Sequence, residues 1–309
     1  MRILVTGGAG FLGSALSNAL AADTHEVIVL ADLSMGDPQR LDSRVLFNRG
    51  SISNRPKVWS LLQGVQCVYH LAARVLVAES VLYPREYNEV NVSGTLALLE
   101  AVRDVGVPRF IFTSSGAVYG DQDKHPVDET ATPKPRSPYA VSKLSAEQYV
   151  HTIGALWGIE TIALRIFNAY GPGQPVLAAH SPVIPRFIHQ AQGQGSLVIF
   201  GTGNQSRDMV YVDDVVNALK AVLTAPATIP HTINIGSGTE TSINTLADLI
   251  LSITNSSSNI IYSPVQNEGL LRLCADISLA RQFLGYNPQY ALTDGLKRML
   301  KTDPRFNQT

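Results

Sequence analysis

The opening run MRILVTGGAGFLGS, residues 1–14, constrains the fold more than any other stretch of the chain. Arg2–Thr6 reads as a short aliphatic strand and Gly7–Gly10 as a turn. From Phe11 onward the apolar residues Leu12, Ala15, Leu16, Ala19 and Leu20 keep helical spacing. Gly7, Gly10 and Gly13 stand three residues apart, which suits a tight turn, a close approach of backbone to a ligand, and a helix packed on its strand. The head of such a helix favours a diphosphate, because its free N–H groups and dipole attract negative charge. Taken alone, the same glycines also fit a turn with no ligand.

Strands continue to alternate with helices. HEVIVLADLS, CVYHLAA, RFIFTSS and ETIALRIF read as buried strands, and REYNEVNVSGTLALLEAVRDVG and SPYAVSKLSAEQYVHTIGALWG as helices, the second opened by Ser137 and Pro138. The pattern predicts an α/β protein: a Rossmann-like, doubly wound parallel sheet covered on both faces. From Asn168 the chain turns loop-rich, then gives a helix at RFIHQAQGQG and a strand at LVIFG. MVYVDDVVNALKAVL and HTINIGS look like a return to the large sheet. The expected division is a dinucleotide unit, residues 1–167 with about 209–235, and an interleaved smaller C-terminal lobe, 168–208 with 236–309.

The 309 residues are 45% hydrophobic with a net charge of −1, which supports a large core and gives no basic surface for nucleic acid. Cys67 and Cys274 lie in apolar stretches and read as buried thiols, and neither they nor the seven histidines show metal-ligand spacing. With a strand beginning at residue 2 and no membrane-length apolar run, the expectation is a cytoplasmic protein without leader or membrane span.

Tyr139 and Lys143 lie one helical turn apart, so both side chains emerge on one face of the helix. A tyrosine beside an ammonium can act as a base. Lowering a phenol by about three units needs roughly 4 kcal/mol of differential stabilisation, which Lys143 and a cationic nicotinamide are expected to supply. Ser115 ends the strand RFIFTSS, at the sheet edge where a parallel fold presents residues to ligands.

The segments TGGAGFLG, HLAA, NVSGT, FTSSGAVYG, SPYAVSK, LRIFNAYGP and RDMVYVDDVV occur in an order and at separations that resemble the extended short-chain dehydrogenase/reductase family. The resemblance is strongest to its nucleotide-sugar 4-epimerases and continues through INIGSGTETSINTLADLI to ADISLARQFLGYNPQ. It implies catalytic roles for Ser115, Tyr139 and Lys143. For the dinucleotide it implies Gly7, Gly10, Phe11 and Leu12 at the diphosphate, and Asp32, Ser51, Ile52, Leu71, Ala72, Ala73, Asn91, Ser114 and Phe167 along the remainder, beside Tyr139 and Lys143. For the nucleotide sugar it implies Ser115, Gly116, Ala117, Asn168, Val183, Val198, Phe200, Arg207 and Arg272. Asn91 equally fits a backbone bridge, Val183, Val198 and Phe200 equally fit core, and Arg207 equally fits an ion pair with Asp208 or Asp213. A homodimer, paired through the helices around 86–105 and 139–157, is also implied.

Departures from the family pattern set the open points. Ala31 stands where an acid usually takes the adenosine ribose, with Asp32 next to it. Asp32 is expected to take over the contact, which keeps NAD ahead of NADP, although loss of the acid at residue 31 weakens the bias against a 2′-phosphate and brings Arg40 into play. Ser51 replaces an adenine-facing acid, Gln266 replaces a phosphate-binding arginine with Arg272 six residues on, and Leu273 holds a pocket-size position. The implied reaction inverts C4 of UDP-glucose, UDP-galactose or a close relative through a 4-keto sugar. A nucleotide-sugar dehydratase or decarboxylase lacks its acid at Gly116 and Ala117, while a reductase sharing the triad and a non-catalytic cofactor sensor stay as alternatives.

Overall fold

The computed structural model describes residues 1–176, 181–264 and 269–307. In chain order its strands are β1 (Arg2–Thr6), β2 (Glu26–Ala31), β3 (Leu46–Arg49), β4 (Cys67–His70), β5 (Arg109–Ser115), β6 (Glu160–Ile166), β7 (Asn168–Tyr170), β8 (Leu197–Phe200), β9 (Ser206–Tyr211), β10 (Thr232–Ile235), β11 (Glu240–Ser242) and β12 (Ile260–Ser263). The helices are α1 (Phe11–Ala22), α2 (Arg55–Leu61), α3 (Val77–Leu82), α4 (Pro84–Asn88), α5 (Gly94–Val105), α6 (Pro138–Trp157), α7 (Val183–Gln192), α8 (Val212–Leu223), α9 (Ile243–Ile253), α10 (Ser278–Leu284) and α11 (Leu292–Thr302).

Seven strands form one parallel sheet in the order β10-β6-β5-β4-β1-β2-β3. Strand order reverses at β1, which has β2 on one side and β4 on the other, and a crevice opens at the carboxyl ends beside such a switch point. The central strands are continuous apolar runs because both faces are covered. One face packs against α1 and α8, the other against α2, α5 and α6. Cys67 and Cys274 are both buried, and burial pushes both thiols up to about 12.

The expected doubly wound sheet is therefore present, with two corrections. β9 does not return to the large sheet: it lies between β11 and β7, in register Asn168 with Met209 and Glu240 with Asp208, and α8 and β10 alone rejoin the larger layer. β3 was not expected at all, because LFNR is a short edge strand with Leu46 half-exposed, carrying neither a continuous apolar run nor strict alternation. The smaller sheet is stitched by Asp208, which is fully buried and accepts hydrogen bonds from Ser237 N and Oγ, Gly238 N and Ala275 N at 2.7–3.1 Å. Among the described residues no helix is long and apolar enough to cross a membrane.

Candidate active site

A cleft of about 580 Å³ opens at the carboxyl ends of β1, β2, β4, β5 and β6. At one end the glycine turn is built by close packing. Gly7 has φ +70°, and a Cβ there would lie 2.6 Å from the Ala72 nitrogen, while a Cβ on Gly13 would lie 2.1 Å from the Gly7 oxygen. The HLAA segment thus rests directly on the turn, which only glycine permits. Gly10 caps α1 without a side chain, so the first-turn N–H groups lack a side-chain acceptor and suit a diphosphate.

At the other end α6 begins with Ser137, whose hydroxyl accepts from Ala140 N at 3.1 Å, and with Pro138 in the first turn. That start places Tyr139 and Lys143 in the cleft together with Ser115 from β5. The Ser115 side chain acts to lower the Tyr139 phenol, the Ser115 hydroxyl accepts from Ala117 N at 3.2 Å, and the Tyr87 ring meets Tyr139 edge-on at 6.5 Å. The Lys143 ammonium sits 4.3 Å over the Phe112 ring. Burial pulls that ammonium down to about 7, against the pull of the Glu147 carboxylate one turn along α6. In the chain alone burial raises Tyr139 and the Ser115 side chain only partly opposes it, so the expected lowering of the phenol falls to Lys143 and a bound nicotinamide. Desolvating a phenolate costs more here than one hydroxyl returns.

Of the other expected residues, Gly7, Gly10, Phe11, Leu12, Asp32, Ser51, Ile52, Leu71, Ala72, Ala73, Ser114, Ala117, Phe167, Asn168 and Leu273 line this cleft. Gly116, Val183, Val198, Phe200, Arg207 and Arg272 do not. Asn91 is a bridge: its side chain joins Arg74 N at 2.8 Å, Arg74 O at 3.0 Å and Ser142 Oγ at 2.9 Å, from a π-helical turn over Glu89–Ser93. Arg272 gives its guanidinium to the Glu240 carboxylate at 2.6–2.8 Å, which engages it away from a phosphate, and Arg40 donates through Nη1 to Gly173 O. Gln266 lies outside the described residues. Arg207 is half-buried, its Nη1 donates to Ser206 O at 2.7 Å, and burial lowers its guanidinium. It pairs with neither expected acid, since Asp208 is enclosed by its own donors and Asp213 faces Arg298 at 3.6 Å.

Sequence reasoning missed Glu147 and Arg165. Glu147 is fully buried on α6 and accepts from Ser114 Oγ at 2.5 Å and from Arg165 at 2.5 and 3.1 Å, tying the helix to β5 and β6 beneath the triad. The spacing Tyr139, Lys143, Glu147 was the available signal, since it repeats one helix face.

His70 pins the floor. Its ring nitrogens meet Thr6 Oγ1 at 2.7 Å and Thr95 Oγ1 at 2.8 Å, and burial, with Lys143 adding, drives the imidazole down to about 3. Between that value and the ordinary histidine value the unfolded chain binds a proton that the folded chain does not. Stability therefore rises with pH across this window and is lost as pH falls through it. In urea titrations between about pH 4 and about pH 6, the wild-type unfolding free energy should climb more steeply than that of His70→Gln, by about one proton. Parallel slopes would mean that the folded imidazole titrates freely.

With this geometry in hand, the similarities to known proteins are informative. The UDP-glucose 4-epimerase of Mycolicibacterium smegmatis is 35% identical over 97% of this chain and 98% of its own length. The crystal structure of UDP-glucose 4-epimerase from Thermotoga maritima with UDP-glucose superposes with TM-score 0.93 at 35% identity, covering 97% of this chain and 98% of that one. UDP-glucuronic acid 4-epimerase from Bacillus cereus, in complex with UDP-glucuronic acid and NAD, superposes with TM-score 0.90 at 34% identity, covering 97% and 98%. Residues 3–236 match the family model of the NAD dependent epimerase/dehydratase family, and the chain belongs to that family.

Proposed function

We propose that this protein is an NAD-dependent epimerase that inverts C4 of UDP-glucose, UDP-galactose or a close relative, with the parallel-sheet unit holding the dinucleotide and the smaller lobe the nucleotide sugar. The observation that carries the reading is the convergence of Ser115, Tyr139 and Lys143 in the same cleft as the Gly7–Leu12 turn. The turn fits a dinucleotide: Gly7 and Gly13 leave no room for a Cβ, and the α1 N-terminus is uncapped by any side chain. Asp32 lines the cleft and opposes a 2′-phosphate, which supports NAD over NADP.

NAD, when bound, supplies a reversible two-electron acceptor for the sugar C4. Tyr139 takes the proton of the 4-hydroxyl as C4 is oxidised and returns it when C4 is reduced on its other face. Ser115 hydrogen-bonds the same oxygen, and the Lys143 ammonium favours the phenolate. Elimination or decarboxylation is disfavoured because Gly116 and Ala117 carry no acid, and Asp32, at the β2 end, is the one carboxylate among the described lining residues.

The test is to incubate the purified protein with UDP-glucose and follow products by proton NMR, while assaying dinucleotide released on denaturation. UDP-galactose without net redox is expected. A protein that binds both ligands yet interconverts no 4-epimers, or that yields a dehydrated or decarboxylated sugar, overturns the reading.

Arg207 is the cation proposed for the UDP diphosphate, now without help from Arg272. Arg207→Ala is expected to weaken UDP-glucose binding by roughly 2–4 kcal/mol with NAD affinity unchanged, the scale for removing one partner of a buried charged contact. Equal calorimetric affinities would return Arg207 to a purely structural role.

Self-association is proposed through α6, which presents Val141, Tyr149 and Leu156 to solvent along one face, beside Val81, Leu82 and Tyr83 at the end of α3. Light scattering should report twice the 33.3 kDa chain mass, and the monomer mass at micromolar concentration would remove the proposal.

A further inference from the structure

Gln174 lies in the cleft beside Asn168, Ala169 and Pro175, and only 9% of it is exposed. Its Nε2 donates to Ala169 O at 3.0 Å, which fixes the orientation of the carboxamide. The opposite atom, Oε1, is buried and has no hydrogen-bond partner among the described residues. A buried amide oxygen left unpaired is costly, so one on a side chain that lines a cleft calls for an explanation.

The backbone around it is anchored from both sides. Gly173, at φ +84°, gives its N–H to Asp303 Oδ2 at 2.9 Å and its carbonyl to Arg40, and Gln174 N donates to Gly171 O at 3.2 Å. Residues from the loop after β2 and from the chain following α11 thus hold the turn that presents Gln174. The side chain is rigidly set before any ligand arrives, which is the arrangement of a positioning group.

We propose that Gln174 positions the ligand in this cleft, its carboxamide oxygen accepting a hydrogen bond from a hydroxyl or amide N–H of the bound molecule. This rests on the reading that the cleft holds NAD and a UDP-hexose. The chemistry is selective, because Oε1 carries lone pairs and no proton. It pairs with a sugar or ribose hydroxyl or a carboxamide N–H, and it repels a phosphate or carboxylate oxygen.

Calorimetric titration of wild type and Gln174→Met with NAD, UDP and UDP-glucose tests this, since methionine keeps the length and removes the acceptor. The ligand that supplies the donor should bind about five- to tenfold more weakly to the variant, the scale of one neutral hydrogen bond. Loss with UDP-glucose but not UDP assigns a hexose hydroxyl, loss with both assigns the uridine, and loss with NAD assigns the dinucleotide. Affinities within about twofold for all three ligands overturn the proposal while leaving the epimerase reading intact. A wild type that binds none of them defeats both. Should Gln174→Met fail to fold, Gln174→Ala, which empties space in an open cleft, takes its place in the same titrations. Loss of fold in both variants overturns the proposal in favour of a structural role.

Discussion

Tyr139→Phe should lower turnover of UDP-glucose at least about 100-fold while leaving the unfolding midpoint and dinucleotide affinity close to wild type. Positioned acid–base groups contribute about 10²–10⁴-fold, and this change deletes only the oxygen that moves the proton. The ring should stay where it is, because its packing against Tyr87 is edge-on at 6.5 Å and does not use the hydroxyl. Ser115 keeps the N–H of Ala117. Steady-state kinetics beside thermal unfolding separates the outcomes. Retained epimerisation would place the base on another residue, and a collapse in stability would show that the phenol is structural.

Glu147→Ala should destabilise the fold by about 3–5 kcal/mol, the range for stripping one partner from a buried ion pair. Arg165 is only 5% exposed, and its Nη1 already lacks a partner among the described residues. Removing the carboxylate leaves Arg165 Nε and Nη2 and the Ser114 hydroxyl unanswered as well. Against a typical total of about 5–15 kcal/mol this is a large share, and it falls beneath the triad. Urea unfolding measures it through a lower midpoint at unchanged slope. The double variant Glu147→Leu with Arg165→Leu should recover much of the loss, since an apolar pair of similar volume removes the unpaired charge. A single-variant loss under about 1 kcal/mol would mean that water reaches Arg165 and that the pair does not hold α6 in place.

The two experiments probe features that were unequally visible in the amino-acid order. Tyr139, Lys143 and the Ser137–Pro138 start of α6 were legible because one helix carries them, and a period of 3.6 places residues four apart on one face whatever the surroundings. The Gly7, Gly10, Gly13 turn was legible for a similar reason: conformational freedom at those positions is a local property. β1, β2, β4, β5 and β6 announced themselves as long apolar runs because a doubly covered parallel sheet demands them.

What depended on distant partners was not legible. β9 carries the apolar pattern of any buried strand, and only its pairing with Asn168–Tyr170 and Glu240–Ser242 assigns it to the smaller sheet. Arg272 and Arg207 look alike as exposed cations in the chain, yet Glu240 captures one and burial isolates the other. Burial raises the Tyr139 phenol in the chain alone, because desolvation depends on every element packed around the ring, which spacing along one helix does not report. By itself the sequence determined the sheet, the glycine turn and the helix face bearing Tyr139 and Lys143, all set by local geometry and apolar period. Tertiary structure alone decided which charges are paired, which buried polar atoms are left without a partner, and how far burial moves each proton, because those depend on through-space neighbours hundreds of residues apart in the chain at most and ångströms apart in the fold.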